Sequence, residues 1–212
     1  MIYLKKIIIS LPPPLRWFLL KLIYLSQTFI WRVKGKPAPP PHPIKIQAIL
    51  MCAQRLKIKN LIETGTYLGE TVLAIKGYFQ KIYSIELGKD LYLLAKKTFH
   101  DDKNVEIIYG DSAKVLPEIV KKIYKPYVFW LDAHFSEGIT TKGATKTPIL
   151  QELKSILKNK IKNHVILVDD ARLFTGNNDY PTIKEVKTLV KEFLPKHKIN
   201  IESDIIIITP TI

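Results

Sequence analysis

The sequence from residue 60 to residue 71 is NLIETGTYLGET, and this stretch decides the fold class. A short apolar run ends on Glu63 and Thr64, and Gly65 and Gly69 precede a segment with helical spacing. Apolar runs without alternation are typical of strands that are buried on both faces, and glycine permits a tight turn. The stretch therefore predicts a buried strand that turns directly into a helix.

The same pattern recurs from residue 44 onward. The predicted strands are 60–66, 81–87, 105–110, 127–133, 164–170, 198–203 and 204–210, and the predicted helices are 44–58, 69–79, 89–100, 112–124, 147–159 and 182–194. Alternation of strands and helices implies right-handed crossovers and a parallel, doubly wound sheet with helices on both faces. The last two strands are joined almost without a gap and must pair antiparallel. We predict an α/β, Rossmann-like fold with a seven-stranded, mostly parallel sheet and a final antiparallel strand.

Residues 1–43 differ in composition from the body of the chain, residues 44–212. No Asp or Glu occurs before Glu63, whereas eleven Lys or Arg residues do, so most of the net charge of +14 lies at this end. Only four of the 33 cations are Arg, the residue that favours base reading, and nucleic acid is therefore not the expected partner. We predict a basic amphipathic leader helix with a Pro-rich linker, followed by one ligand-binding domain.

The leader contains a helical segment, 15–34, whose cations share one arc, and a proline-rich linker, 37–43. One interpretation is an amphipathic helix through which residues 1–36 lie on the inner face of a membrane. The alternative is a helix that packs on the domain as a lid or a dimer contact. The longest uncharged run, 22–31, is too short to span a bilayer, and no signal-cleavage site follows it. With a single cysteine, Cys52, the chain is expected in a reducing, cytoplasmic compartment.

Polar residues follow the first three predicted strands. Glu86 lies 21 residues after Gly65, the spacing at which a carboxylate meets ribose hydroxyls in dinucleotide-binding folds. The third strand ends in Gly-Asp-Ser, with Asp111 and Ser112 placed to hydrogen-bond a base edge. The middle glycine of the G-x-G-x-x-G pattern is absent, which counts against an NAD-dependent oxidoreductase. A ligand with a ribose and a base is therefore expected at this edge of the sheet.

Together, ETGTYLGET, SIEL, GDSAKVL and FWLDAH resemble class I S-adenosylmethionine (SAM)-dependent methyltransferases over roughly residues 44–212. The resemblance implies SAM as the cofactor. It places Glu63, Gly65, Thr66 and Gly69 around the methionine and ribose of SAM, Glu86 at the ribose hydroxyls, and Asp111 and Ser112 at the adenine. A catalytically silent module with this fold, docked on a membrane, is the alternative from a different functional class.

The ends of the fourth and fifth strands, LDAH and VDDARLF, are similar to those of metal-dependent O-methyltransferases, including enzymes that methylate sugars. The resemblance implies that Asp132, Asp169 and Asp170 hold a divalent ion such as Mg²⁺. Close carboxylates repel one another unless a cation compensates, and a hard ion suits oxygen ligands. His134 stands where some relatives have an Asp as the proposed base, and its ordinary pKa suits deprotonation of a hydroxyl.

Two polar loops flank this predicted site. The segment 135–147 is a candidate substrate lid, because long loops in compact domains are often functional. In the loop after the fifth strand, Arg172, Asn178 and Tyr180 are candidate substrate-binding residues. We predict transfer of a methyl group to a hydroxyl of a saccharide-like or other small polar acceptor. The oligomeric state is not predicted.

Overall fold

The structure is a computed structural model that describes residues 12–132 and 147–211. The helices are α1 (Pro13–Val33), α2 (His42–Arg55), α3 (Glu70–Ile75), α4 (Lys89–Thr98), α5 (Ser112–Lys122), α6 (Ile149–Leu157) and α7 (Ile183–Phe193). The strands are β1 (Asn60–Thr64), β2 (Lys81–Glu86), β3 (Val105–Tyr109), β4 (Val128–Leu131), β5 (Val165–Val168), β6 (His197–Glu202) and β7 (Ile205–Pro210). A 3₁₀ turn, Ala171–Leu173, follows β5.

The seven strands form one sheet in the order β3-β2-β1-β4-β5-β7-β6. Strands β1 to β5 are parallel to one another, and β7 lies antiparallel between β5 and β6. This confirms the predicted Rossmann-like sheet with its antiparallel strand. Strands β1 to β3 are added in one direction from the centre of the sheet, and β4 then begins the other half on the opposite side of β1. The carboxyl ends of β1 and β4 therefore meet at the position where such sheets bind ligands.

The core lies on both faces of the sheet. On β1, Leu61 belongs to one apolar cluster and Ile62 to the other. On β4, Trp130 and Phe129 divide between the two clusters in the same way, and both are buried. Helices cover each face, so both side chains of each of these adjacent pairs are buried against apolar neighbours. This explains why the sequence of these strands shows continuous apolar runs rather than alternation.

Several helix ends differ from the sequence-based expectation. Helix α2 begins at His42, so the predicted domain boundary after residue 43 falls inside its first turn. Helix α3 ends at Ile75 rather than near residue 79. Six of the seven strands are shorter than predicted by one to three residues, mainly because residues at their carboxyl ends leave the sheet. Strand β6 has the predicted length but begins one residue earlier. The division into a leader and a domain stays a prediction.

Helix α1 packs on the body through one side. Trp31 is buried, and its indole Nε1 donates a hydrogen bond to the Pro37 carbonyl at 2.7 Å. The Tyr24 ring lies 5.9 Å from the ring of His42 at the start of α2. Among the described residues, no helix is long and apolar enough to cross a membrane.

Candidate active site

The turn after β1 is a loop closed by its own backbone. The N–H groups of Gly65 and Thr66 both donate to the Ile85 carbonyl, at 2.9 and 3.2 Å, which holds the loop against the end of β2. The Gly69 N–H donates to the Thr66 carbonyl at 2.8 Å and closes the turn. Gly65 has a φ of 87°, in the left-handed region that glycine adopts without strain. The sequence-predicted turn is therefore present, at the carboxyl end of the central strand.

Gly69 is needed for a close approach as well as for its backbone conformation. Its φ is 73°, and a Cβ atom at this position would lie 2.6 Å from Cε2 of Phe99. Phe99 is a buried residue that follows α4, so it has little room to move. The absent side chain lets α3 begin directly beside the loop.

Glu86, the predicted ribose ligand, ends β2 and is buried. Its Oε2 accepts a hydrogen bond from the Tyr67 N–H at 2.7 Å, and its Oε1 accepts one from the Gly88 N–H at 2.7 Å. These two bonds fix the plane of the carboxylate. Since each carboxylate oxygen has more than one acceptor site, both oxygens can still accept from hydroxyl groups of a ligand.

Glu63 lies beneath the loop, in a buried chain of polar side chains. The Ser84 hydroxyl donates to its Oε2 at 2.5 Å, and the Thr66 and Ser84 hydroxyl oxygens are 2.6 Å apart. Burial raises the pKa of Glu63 to about 8. The protein therefore favours the neutral form of this carboxyl group, and Thr66 is bound to the same network.

Asp111 and Ser112 lie at the end of β3, at the start of α5. The Asp111 carboxylate caps this helix by accepting from the Ala113 N–H at 3.0 Å. Ser112 is buried, and its hydroxyl acts on the nearby Glu152 carboxyl group to offset part of the effect of burial on its pKa. Both predicted adenine-binding residues thus have structural roles at the expected strand end, and their contact with adenine stays a prediction.

The three predicted metal ligands lie together. Asp132 directly follows β4, and Asp169 and Asp170 directly follow β5, its neighbour in the sheet. One carboxylate oxygen from each lies within 4.8 Å of those of the other two. Asp169 and Asp170 are buried, and Asp132 is half-buried. Oxygen donors in this arrangement suit a hard divalent cation. The tertiary structure therefore brings together the residues that the sequence analysis grouped.

Lys45, on α2, extends into this acidic cluster, and the sequence analysis missed it. Its ammonium group forms a salt bridge with Asp169 Oδ2, and its side chain is only 18% exposed. Burial disfavours its charge, but the neighbouring aspartates outweigh burial and raise the pKa of Lys45 above its ordinary value. Burial and the Asp132 charge raise the pKa of Asp169. A helix distant in the sequence therefore supplies a positive charge to the cluster.

Comparison with solved structures identifies the fold. An O-methyltransferase from Bacillus cereus, in complex with SAH, matches 88% of this chain and 90% of its own with a TM-score of 0.58 and 14% identity. TomG from Streptomyces achromogenes, an O-methyltransferase involved in tomaymycin synthesis, matches 89% of each chain with a TM-score of 0.56 and 15% identity. The chain has the class I methyltransferase fold.

A third structure, the SAH-bound methyltransferase PaMTH1 from Podospora anserina, covers 89% of this chain and 88% of its own, at a TM-score of 0.54 and 16% identity. Neither the family models nor the curated protein sequences gave a match. The likeness therefore concerns the fold.

In this methyltransferase fold, the loop after β5 holds the predicted substrate-binding residues. Arg172 Nη1 donates to Asp170 Oδ1 at 2.6 Å and also forms a salt bridge with Asp204. Arg172 thus supplies a second positive charge beside the acidic cluster. Asn178 is exposed, with a φ of 54°. Tyr180 lines a cleft together with Asp132.

His134, the predicted base, lies outside the described residues, as does most of the predicted lid, 135–147. Thr147 is described, and it lines the same cleft as Tyr180. The roles predicted for His134 and for the lid stay predictions.

Glu152 is a second residue that the sequence analysis missed. It lies on α6, lines the same cleft as Asp132 and Asp169, and is 1% exposed. Burial raises the pKa of Glu152 to about 7. One signal was available in the sequence: in TPILQELKSIL, residues 147–157, Glu152 falls among apolar residues at helical spacing.

Proposed function

We propose that this protein is a SAM-dependent O-methyltransferase that methylates a hydroxyl group of a saccharide-like or other small polar acceptor, assisted by a divalent metal ion. One observation supports this proposal more strongly than any other. The three clustered aspartates lie at the ends of β4 and β5, next to the glycine loop and Glu86 at the ends of β1 and β2. The groups that we propose to bind the metal ion and the nucleoside therefore share one edge of the sheet.

The residues of the loop fit SAM. Glu86, held by two backbone N–H groups, would accept hydrogen bonds from the ribose hydroxyls. The positive φ values of Gly65 and Gly69 shape the turn, and the methionine part of SAM would lie beside this turn. When bound, SAM supplies the methyl group as a sulfonium substituent. The task of the protein is then to align an acceptor oxygen with that carbon.

The aspartates fit a divalent metal ion by their donor chemistry, because carboxylate oxygens are the preferred ligands of Mg²⁺. When bound, the ion would lower the pKa of an acceptor hydroxyl that coordinates it. Lys45 and Arg172 offset part of the negative charge without a metal. We propose that Asp132, Asp169 and Asp170 hold the ion and that His134 removes the hydroxyl proton.

The polarity of the surroundings supports the proposed acceptor class. Tyr180 and Thr147 line a small cleft with Asp132, Glu152 and Asp169, so polar groups surround the acidic cluster. Such groups pair with the hydroxyls of a polar acceptor. The incomplete glycine pattern of the loop, E-x-G-x-x-x-G, gives no support to an NAD-dependent oxidoreductase. A silent binding module would bind SAM without turnover.

The test is a methyl-transfer assay with labelled SAM and a panel of saccharides and glycolipids, with Mg²⁺ or with EDTA. We expect turnover with Mg²⁺ and its loss in EDTA. Asp169→Asn should lower turnover by about a hundredfold or more, because it removes a charged ligand. The matched control is Asp102→Asn, since Asp102 also forms a salt bridge with a lysine, Lys76, outside the proposed site. This control should keep full activity.

Two results would contradict parts of the proposal. Turnover that is unchanged in EDTA would show that Lys45, and not a metal ion, compensates the negative charge of the aspartates. SAM binding in calorimetry without turnover on any acceptor of the panel would favour the silent module.

A further inference from the structure

Helix α1 exposes an apolar stripe on the side that faces away from the body. The stripe consists of Leu15, Phe18, Leu22, Leu25, Phe29, Ile30 and Val33. Leu25 is 60%, Phe29 68% and Val33 71% exposed. Seven of the thirteen exposed large apolar side chains in the described part of the chain lie on this one helix. Clustered exposure of this kind marks an interaction surface, whereas scattered apolar residues need no explanation.

The side of α1 that faces the body is different. Tyr24 and Trp31 contact the region of α2 and the linker, and Gln27 and Thr28 are partly covered between them. At about 100° per residue these four residues share an arc opposite the stripe. The side of α1 that packs on its own domain therefore contains both aromatic and polar residues, and the more apolar side is left uncovered.

Cations border the stripe, and acids are absent. Lys21 and Arg32 are exposed, and at about 100° per residue both fall next to the Leu25 edge of the stripe. Lys34 and Lys36 are exposed just beyond its carboxyl end. Neither α1 nor any residue before Glu63 contributes an Asp or Glu. Lys and Arg can lay their apolar stems on a hydrophobic surface and keep their charges in the lipid headgroup region.

We propose that the exposed stripe of α1 docks the protein on an anionic lipid surface, with α1 lying in the plane of the interface. The apolar side chains enter the boundary between headgroups and acyl chains, and the cations pair with anionic headgroups. This inference is independent of the proposed enzymatic activity, because it rests on α1 alone.

Charge distinguishes this surface from a contact with a second copy of the chain. Two copies of α1 paired through their stripes would bring Lys21 and Arg32 near like charges, with no acidic residue in the helix to pair with them. An anionic bilayer supplies the missing negative charge.

The experiment is flotation of the full-length protein with phosphatidylcholine vesicles that contain or lack phosphatidylglycerol. We expect binding to the anionic vesicles and much weaker binding to the neutral ones. Leu25→Gln combined with Phe29→Gln should weaken binding to anionic vesicles by about a hundredfold, since two large apolar side chains are lost. The matched control is Leu93→Gln with Leu94→Gln on α4, where both leucines are also exposed. The control should bind like the wild type.

A second pair of variants tests the charges. Lys21→Gln with Arg32→Gln should weaken binding to anionic vesicles by about 30-fold, at about 1 kcal/mol per cation, and leave binding to neutral vesicles unchanged. Lys96→Gln with Lys97→Gln, exposed cations of α4, serves as the control.

Three results would overturn the proposal. The first is a wild-type protein that does not bind anionic vesicles, or a stripe variant that binds them equally well. The second is a wild-type dimer in sedimentation that the stripe variant dissociates, which would assign the stripe to a second copy. The third is a lower melting temperature of the stripe variant but not of its α4 control, which would mean that the stripe packs against another part of the same chain.

Discussion

Lys45 meets Asp169 across 124 positions of sequence, and this contact changes how the acidic cluster is understood. Three close carboxylates without a cation would repel one another. Lys45 supplies part of the compensation from within the protein, and Arg172 supplies more through Asp170. A metal ion that binds the aspartates therefore enters a site that already holds a positive charge beside one of its ligands.

A first prediction follows for metal affinity. In Lys45→Met, a similar volume is retained but the ammonium charge is lost, so Mn²⁺ or Mg²⁺ should bind about tenfold more tightly. Isothermal calorimetry measures this without substrate or turnover. Lys76→Met, which breaks the salt bridge with Asp102, is the control and should leave metal affinity unchanged. Weaker metal binding by Lys45→Met would show instead that the lysine orients the ligands.

Glu152 is the second residue whose surroundings change its chemistry, in this case its pKa. Its Oε1 has no hydrogen-bond partner among the described residues, and burial raises its pKa from 4.5 to about 7. A raised carboxyl pKa means that the folded protein holds the proton more tightly than the unfolded chain does. Between these two values, the contribution of Glu152 to stability falls as pH rises, and it levels off above the higher value.

A second prediction concerns this pH dependence. Glu152→Gln cannot titrate, so its melting temperature relative to wild type should rise between about pH 5 and about pH 8. The comparison is made by calorimetric melts of both proteins in EDTA. Glu185→Gln, at the exposed start of α7, is the control, because hydrogen bonds from Thr182 lower the pKa of that carboxyl group and its difference should not rise over this range. If the difference in melting temperature between wild type and Glu152→Gln is constant across this pH range, burial does not raise the pKa of Glu152.

At the scale of elements, the loop between β1 and α3 depends on two glycines with positive φ. Gly69 precedes α3 as its N-cap, in a left-handed conformation, and faces Phe99 at a distance that excludes a side chain. The loop is fastened to β2 by the Ile85 carbonyl and by Glu86. Displacement of Gly69 therefore changes the position of the groups that would hold the ribose.

A third prediction tests this element. Gly69→Ala should lower the free energy of unfolding by at least about 1–2 kcal/mol, from the left-handed backbone alone, and weaken SAH binding. Gly77→Ala is the control, because Gly77 has open space at its Cβ position and no positive φ. Denaturant melts give the stability and calorimetry gives the affinity. Equal stability of the two variants would mean that Phe99 and the backbone adjust freely.

At the scale of the whole molecule, the sheet order brings distant segments to one edge. Since β1 lies between β2 and β4, and β4 lies beside β5, the strand ends that carry Glu86, Gly65, Asp132 and Asp169 are consecutive. A ligand that contacts several of these ends would stabilise the entire fold, because it binds the folded chain only.

A fourth prediction uses this linkage. SAH at about 100 times its Kd should stabilise the protein by about 2.7 kcal/mol and raise its melting temperature by roughly 5–10 °C. NAD⁺ at the same concentration should have no effect, since the loop lacks the glycine that pyrophosphate requires. Differential scanning fluorimetry measures both. Stabilisation by NAD⁺ and not by SAH would support the oxidoreductase.

The fold class and the predicted site residues at the ends of five strands were accessible from the sequence, because strand-helix periodicity and glycine placement are local properties. The grouping of Asp132 with Asp169 and Asp170 followed once β4 and β5 were taken as neighbours. The sequence could not reveal Lys45 in the acidic cluster, the Arg172 salt bridges, or the uncovered side of α1. These contacts depend on how helices and loops that are distant in the sequence pack on the sheet. The spacing of residues along the chain does not predict that packing. Local pattern therefore determined the framework and the candidate residues, whereas the tertiary structure decided which charges surround them.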